Sequence, residues 1–419
     1  MRQTLPEADP PAPNGQPLDG IRVLDMTSLA MGPLAGQTLG DYGADVIKVE
    51  PLGGDSFRQS LPRRSPGMGH VFLQFNRNKR SLAMDLKAPE AACAFRQLLG
   101  TADVILSNMR PSAMAGLGLD YEAVRAIRPD IIYCAAYGFS ERGRYAGRPA
   151  ADDTIQAVSG LASLQGRKGG TPEFVATIVA DKAAGLVLTN AILAALIHRM
   201  RTGRGQFIEL PMFETMVAFV MPEHLAGLSY DPPVGPSGYS RVMDPSRRPY
   251  ATRDGYLSVL PYTTAQWQRF FRLIGRDDMA DDPELADAAK RNARIPEFYA
   301  MIEQAMPSRT TRDWIDVLLA ADILFGEVMT PEELIADPHL ADTGLFRMID
   351  HPTEGRIRLL TPPAHSSEAA ARLDRAPPGL GEHSSEILRE IGLGEEEIRV
   401  LVARGCVVDG APATSHPGE

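Results

Sequence analysis

Cysteine is scarce in this chain. Its three residues, Cys93, Cys134 and Cys406, lie too far apart for a disulfide framework or a metal-binding pair, so a reducing cytoplasm is the expected setting. A basic surplus is missing too. Lysine and arginine number 43 against 53 acidic residues, a formal charge of −10, so no overall positive field exists to hold a nucleic acid. The eight histidines form no HxxxH or HExxH pair and have no recognisable triad partner, so no metal site is expected. Neither GxxxxGK[ST] nor a strand-borne GxGxxG occurs, which removes the usual nucleotide loops. No apolar run is clean enough to span a bilayer: the longest, Val179 to Met200, is broken by Asp181, Lys182, Asn190 and His198 and reads as a core helix. The opening MRQTLPEADPPAPNGQ lacks the apolar centre of a signal peptide, and its composition suggests a disordered lead-in over residues 1–16.

What is present is alternation. With 419 residues the chain is too long for one ordinary core, so two domains are expected. Short apolar runs suited to strands (IRVLDM, DVIKVEP, RSLAMDL, DVILSN, DIIYCAAYGF) are separated by helical spacing, as at Pro89 to Leu99. This predicts an α/β fold with a mostly parallel sheet, whose ligands lie beyond the carboxyl ends of the strands. Three loops are so marked: Ser28 to Gly32, Glu50 to Asp55, and Ser107 to Pro111. The large domain is expected over residues 17–224. A Pro-, Gly- and Ser-rich linker and mobile loop follows over 225–248, then a smaller α+β domain over 249–336. Residues 337–419 form a return segment, with one short strand (IRLL) and a final helix from Ser384 to Ala403. Too small for its own core, this segment is expected to pack on the large domain.

Several residues carry two readings. Asp181 heads the long apolar helix and is either its N-cap or a carboxylate nucleophile. Ala183, Ala184 and Gly185 behind it are plain packing or room for a bulky ligand. The cluster Asn76-Arg77-Asn78-Lys79-Arg80 guards a strand edge or meets phosphates. Asn108-Met109-Arg110-Pro111 is an ordinary turn or a ligand loop at a strand end. Asp152-Asp153 suits a solvated loop or a helix cap, and His198 a satisfied core histidine.

Taken in order, the blocks PLDGIRVLDMTSLAMGPLAGQTLGDYGADVIKVEPLGGD, NRNKRSLAMDL, DVILSNMRPSAMAGLGLDYEAV, GRPAADDTIQAVSGLASLQG and IVADKAAG resemble the family III CoA-transferases. This is the CaiB/BaiF type, the group of formyl-CoA transferase and carnitine CoA-transferase. The resemblance implies a Rossmann-like large domain and an interlocked homodimer. It makes Asp181 the nucleophile, with a coenzyme A thioester and a carboxylic acid as substrates, and it implies no metal and no bound cofactor. By position it assigns CoA contacts to Leu29, Ala30, Asn78, Lys79, Arg80, Asn108, Met109, Arg110 and Tyr137. An active-site loop is assigned to Gly235 and Gly238. Pro51 and Gly116 stand where the formyl-CoA enzyme has arginines, and Arg110 is expected to take over part of their role. The same fold hosts α-methylacyl-CoA racemases, but Ala151 occupies the position of their second acid/base, a histidine. A third reading is a CoA-binding protein without chemistry.

Overall fold

The computed structural model describes residues 15–166 and 170–410. The expected lead-in falls outside them except for its last two residues. The chain forms two compact units. The first comprises the chain up to Ser159, Val175–Phe219 and everything from His339; the second comprises Gly160–Phe174 and Val220–Pro338.

The first unit is built on a seven-stranded sheet. Six strands are mutually parallel: β1 (Arg22–Asp25), β2 (Asp45–Glu50), β3 (Lys79–Met84), β4 (Val104–Ser107), β5 (Ile132–Tyr137) and β6 (Gln206–Pro211). Their spatial order is β3-β2-β1-β4-β5-β6. A two-residue strand, Val407–Val408, adds to β3 antiparallel. The strands read as near-continuous apolar runs because helices cover both faces, leaving β1, β3 and β4 almost wholly buried. The chain winds outward in one direction from β1 and in the other from β4. These two strands are neighbours, so the sheet has a topological switch point between them.

On one face, the helix Pro89–Leu99 buries Ala91, Ala94, Phe95 and Leu98, a helical stripe set against Leu24, Ile47, Leu82 and Ile105. The same core takes in Ile387, Leu388, Ile398 and Leu401 from the end of the chain. The expected single final helix is two, Ser384–Glu390 and Glu395–Ala403. Gly392 is left-handed (φ +94°) and breaks the run, which lets each piece lay its own apolar residues on the core. The IRLL strand is the second arm of a hairpin, Gly355–Leu360 against Phe346–His351.

On the other face lies the long helix Val179–Thr202, 24 residues ended by left-handed Gly203. It is long and apolar enough to cross a membrane by length and composition, yet Ala184, Leu188, Ile192 and Ala195 are buried within the unit. Its direction is fixed by Arg199 in its last turn, whose Nη2 bonds Asp103 Oδ1 at 2.9 Å, just before β4 begins. The helix therefore ends at the amino edge of the sheet and starts at the carboxyl edge, where Asp181 sits. His198, far from being a core residue, is exposed on it.

The second unit has a three-stranded antiparallel sheet (Tyr250–Ala251, Tyr256–Leu260, Leu324–Glu327) and an aromatic core of Trp267, Phe270, Phe271, Phe298 and Trp314.

Candidate active site

At the switch point, the loop after β1 is tied to the loop after β4. Asn108 accepts from Ser28 N (3.0 Å) and donates Nδ2 to Ser28 O (2.9 Å). Leu29 follows in the left-handed region (φ +70°), costly for a residue with a Cβ, and its side chain stays 40% exposed. The helix Met31–Asp41 then begins with no side-chain cap at Ala30. Its first N–H groups face the carboxyl edge of the sheet.

Asp181 is brought to this edge by packing. Gly185 lies against the first turn of the helix Met31–Asp41, and a Cβ there would sit 2.7 Å from Met31 O. Asp181 is four residues earlier, on the same helix face and one turn nearer the start. It thus projects beyond Gly185 toward the head of the neighbouring helix, where the left-handed loop ends.

Asp181 is not the cap of its own helix. That role belongs to Asp152, a buried residue at the start of the helix Asp152–Val158. Its Oδ1 accepts from Ala180 N (2.8 Å) and Asp181 N (3.0 Å), and its Oδ2 from Gln156 Nε2 (2.5 Å). Of the two readings of Asp152, the cap is the one that holds, but for a helix 27 residues downstream. The Asp181 side chain makes no hydrogen bond among the described residues. Burial, and then the nearby Asp152 charge, push its carboxyl up to about 6. The group remains mostly anionic at neutral pH, poorly stabilised and without a donor, as a nucleophile requires.

Three of the expected CoA contacts have their side chains engaged within the fold. Lys79 is fully buried and uses all its donors on Asp25 Oδ2 (2.8 Å), Pro33 O (2.8 Å) and Asn76 Oδ1 (2.9 Å). Burial, partly offset by Asp25, brings its pKa down to about 8. Arg80 directs every N–H of its guanidinium to Asp45, Glu386 or Glu390. Asn78 donates to Asp41 and Arg372 O and accepts from Asp374 N and Arg375 N. None of the three has capacity left for a phosphate. Ala30 is buried as well, so only its backbone can face a ligand.

The strand-end residues are placed differently. Arg110 is exposed and makes no ion pair among the described residues. Met109 is half-buried in a cleft of about 460 Å³ at the carboxyl ends of β1, β2 and β3, together with Pro51, Leu52, Met84, Leu86 and Lys87. Pro51 and Leu52 belong to the loop marked after β2, whereas Met84, Leu86 and Lys87 were not marked, because the strand-end rule was applied to β1, β2 and β4 and the basic start of β3 was taken in place of its end. Gly116 has open space around it. Tyr137 ends β5 and lines another cavity, about 540 Å³, with Tyr121, Phe207, Glu141 and Glu209. Burial, then the two glutamates, push its phenol up to about 12. Gly235 and Gly238 lie in the second unit, where Val234 N bonds Gly227 O and left-handed Gly238 donates to His224 O.

A family model described as CoA-transferase family III matches residues 18–384. The chain belongs to that family. It is an acyl-CoA:carboxylate CoA-transferase, with CoA thioesters as substrates. The succinate–glutarate CoA-transferase of Agrobacterium fabrum is 34% identical over 386 residues, covering 90% of this chain and 96% of the relative. The human succinyl-CoA:glutarate CoA-transferase is 30% identical over 382 residues, covering 90% and 86%. The crystal structure of a CaiB/BaiF family protein from Brucella suis superposes with a TM-score of 0.78 at 31% identity, over 90% of this chain and all of that one.

Proposed function

We propose that this CoA-transferase works through covalent intermediates on Asp181. The observation that carries the reading is the placement of its unbonded, raised-pKa carboxylate at the switch-point edge of the sheet. The carboxylate attacks the thioester carbonyl of the donor, and the carbon–sulfur bond breaks to give a mixed anhydride and CoA thiolate. The thiolate then attacks the aspartyl carbonyl, releasing the donor acid and leaving an aspartyl–CoA thioester. The acceptor carboxylate attacks that thioester to form a second anhydride. Finally the thiolate attacks the acceptor's own carbonyl, which frees Asp181. One acyl–sulfur bond is present before and after, so no ATP is consumed. Each tetrahedral oxyanion needs N–H donors, and the uncapped start of the helix Met31–Asp41 supports that role.

In this reading CoA lies along the cleft at the ends of β1 to β3, with Lys87 on its lining and Arg110 next to Met109 as cations that make no ion pair among the described residues. Relatives named for glutarate, oxalate and mesaconate support a dicarboxylic acid acceptor, and those named for succinyl-CoA support that donor. A homodimer, interlocked through the chain's long connections, belongs to the same reading. It is supported by the exposed apolar residues of the long helix, Leu186 (55%), Ile197 (57%) and Met200 (80%), which a second copy would cover.

The test is exchange of labelled free CoA into a succinyl-CoA pool, followed by a panel of acids read as product thioesters by mass spectrometry. Hydroxylamine added after acyl-CoA should modify Asp181. Absence of both exchange and modification would overturn the mechanism.

A further inference from the structure

The backbone from Thr27 to Leu29 is held almost entirely by side chains from other elements. Thr27 N donates to Asp25 Oδ1 (3.0 Å), and Thr27 O accepts from buried Lys48 Nζ (3.0 Å). Both backbone groups of Ser28 are taken by Asn108. Leu29 N donates to Asp55 Oδ1 at 3.2 Å. Asp55 is itself fixed: it is 3% exposed, its own N–H donates to Glu50 Oε2, and its Oδ2 lies 3.0 Å from Lys48 Nζ. That last contact is an ion pair by distance whose angle is not that of a hydrogen bond. Lys48 therefore touches the loop twice, directly at Thr27 and through Asp55 at Leu29.

A half-exposed leucine in a left-handed conformation does not hold itself there. The other duty of Asp55, accepting from Phe57 N (2.9 Å) at the head of a short 3-10 turn, explains a cap but not the reach across to Leu29. We infer that Asp55, clamped by Lys48, is a positioning residue that locks Leu29 in its left-handed turn and so presets the loop against which the CoA thioester is laid. The inference rests on the transferase reading for the identity of that ligand, but the clamp itself is a claim about this chain's backbone.

The experiment compares Asp55→Asn with Asp55→Ala in the full chain, using succinyl-CoA and a dicarboxylic acid. Both variants remove one of the carboxylates around Lys48, leaving Asp25 and Glu50, but Asn keeps an oxygen for Leu29 N. Asp55→Ala should raise the KM for succinyl-CoA about 30-fold and Asp55→Asn about 3-fold, with the KM for the acid moving less than about 2-fold in either. Equal effects in the two variants would mean the residue acts only as a buried charge, and an unchanged KM for succinyl-CoA in Asp55→Ala would overturn the proposal. Should Asp55→Ala not fold, wild type decides the matter by hydrogen–deuterium exchange. The Leu29 amide should exchange at least about 100-fold more slowly than in an unfolded chain; exchange at the unfolded rate rules the clamp out. Wild type that fails to exchange CoA would overturn the transferase mechanism, and the amide measurement would still test the clamp.

Discussion

The two edges of the central sheet make opposite use of charge. Along the amino edge, every prominent cation has found carboxylates: Arg22 with Asp45 and Glu390, Arg80 with Asp45, Glu386 and Glu390, Arg77 with Asp41, Arg199 with Asp103. At the carboxyl edge, beside the buried pairs Lys48–Asp55 and Arg58–Glu50, Asp181, Arg110 and Lys87 make no side-chain hydrogen bond or ion pair among the described residues, and a helix starts uncapped. A run such as NRNKR is the more conspicuous in sequence, but its charges are already neutralised within the fold. Ligand binding needs groups with capacity left, and those gather where the strands end.

The sharpest way to break this contrast is at Asp181. Asp181→Asn keeps the shape and removes the nucleophile, so turnover should fall on the order of a thousandfold or more while the fold remains intact. Steady-state transfer with circular dichroism checks both halves. A folded variant with near-normal turnover removes the carboxyl edge from the chemistry.

The two edges can then be set against each other by removing one arginine from each. Arg80→Ala should lower unfolding stability by about 3 kcal/mol, because Asp45 and Glu390 lose their shared partner, and should leave the KM for acyl-CoA within about 2-fold of wild type. Arg110→Ala should do the reverse: a change in stability within about 0.5 kcal/mol and a roughly tenfold higher KM for acyl-CoA. Urea titrations and kinetics on the same preparations are sufficient. If Arg80→Ala raised the KM and Arg110→Ala did not, the phosphate site would belong at the amino edge after all.

Packing at the carboxyl edge is the next target. Gly185→Val would place a branched side chain against the Met31 carbonyl, a backbone atom that cannot swing aside. About 1–3 kcal/mol of stability should be lost, together with transfer activity, since Asp181 is carried by the same helix face. Thermal melts beside initial rates show whether the two losses coincide; a variant that is destabilised but fully active would uncouple the helix contact from the site.

Much of this was legible in the sequence. The alternating apolar runs gave the parallel sheet, Pro89 to Leu99 is a helix with the expected ends, and the strand-end rule pointed to the loops at Ser28 and Asn108. What was hidden depended on contacts between distant segments. No local pattern shows that Asp152 caps a helix that starts at Val179, so the capping role went to the nearest carboxylate, Asp181. Likewise, two of the three acids that neutralise Arg80, Glu386 and Glu390, lie more than three hundred residues away. The broken last helix was signalled locally by Gly392 and Gly394, but a single glycine in a helical pattern is ambiguous until its φ is known.

Asp181 also offers a smaller effect that separates its structural environment from its chemistry. Its pKa is about 6 in the fold, above the ordinary aspartate value near 3.8, because burial first and Asp152 second disfavour the anion. The folded state thus binds this proton more tightly than the unfolded chain does. Linkage then requires that Asp181 reduce stability when ionised, with the penalty full above pH 6 and fading as pH falls toward 4. Two units set an upper limit near 3 kcal/mol, and partial exposure reduces the expected penalty to about 1–2 kcal/mol. Asp181→Asn should therefore be more stable than wild type by about that amount at pH 7, with the gap closing near pH 4. Acid effects on the rest of the molecule are common to both proteins and cancel in the difference, provided protein concentration is matched. In parallel, the rate of wild type should drop as pH falls below about 6, because the nucleophile becomes protonated. Urea midpoints of the pair at pH 7 and pH 4.5 decide the structural half. If wild type were the more stable of the two at pH 7, Asp181 would be stabilising its helix as a cap, and the division of labour between Asp152 and Asp181 would be wrong.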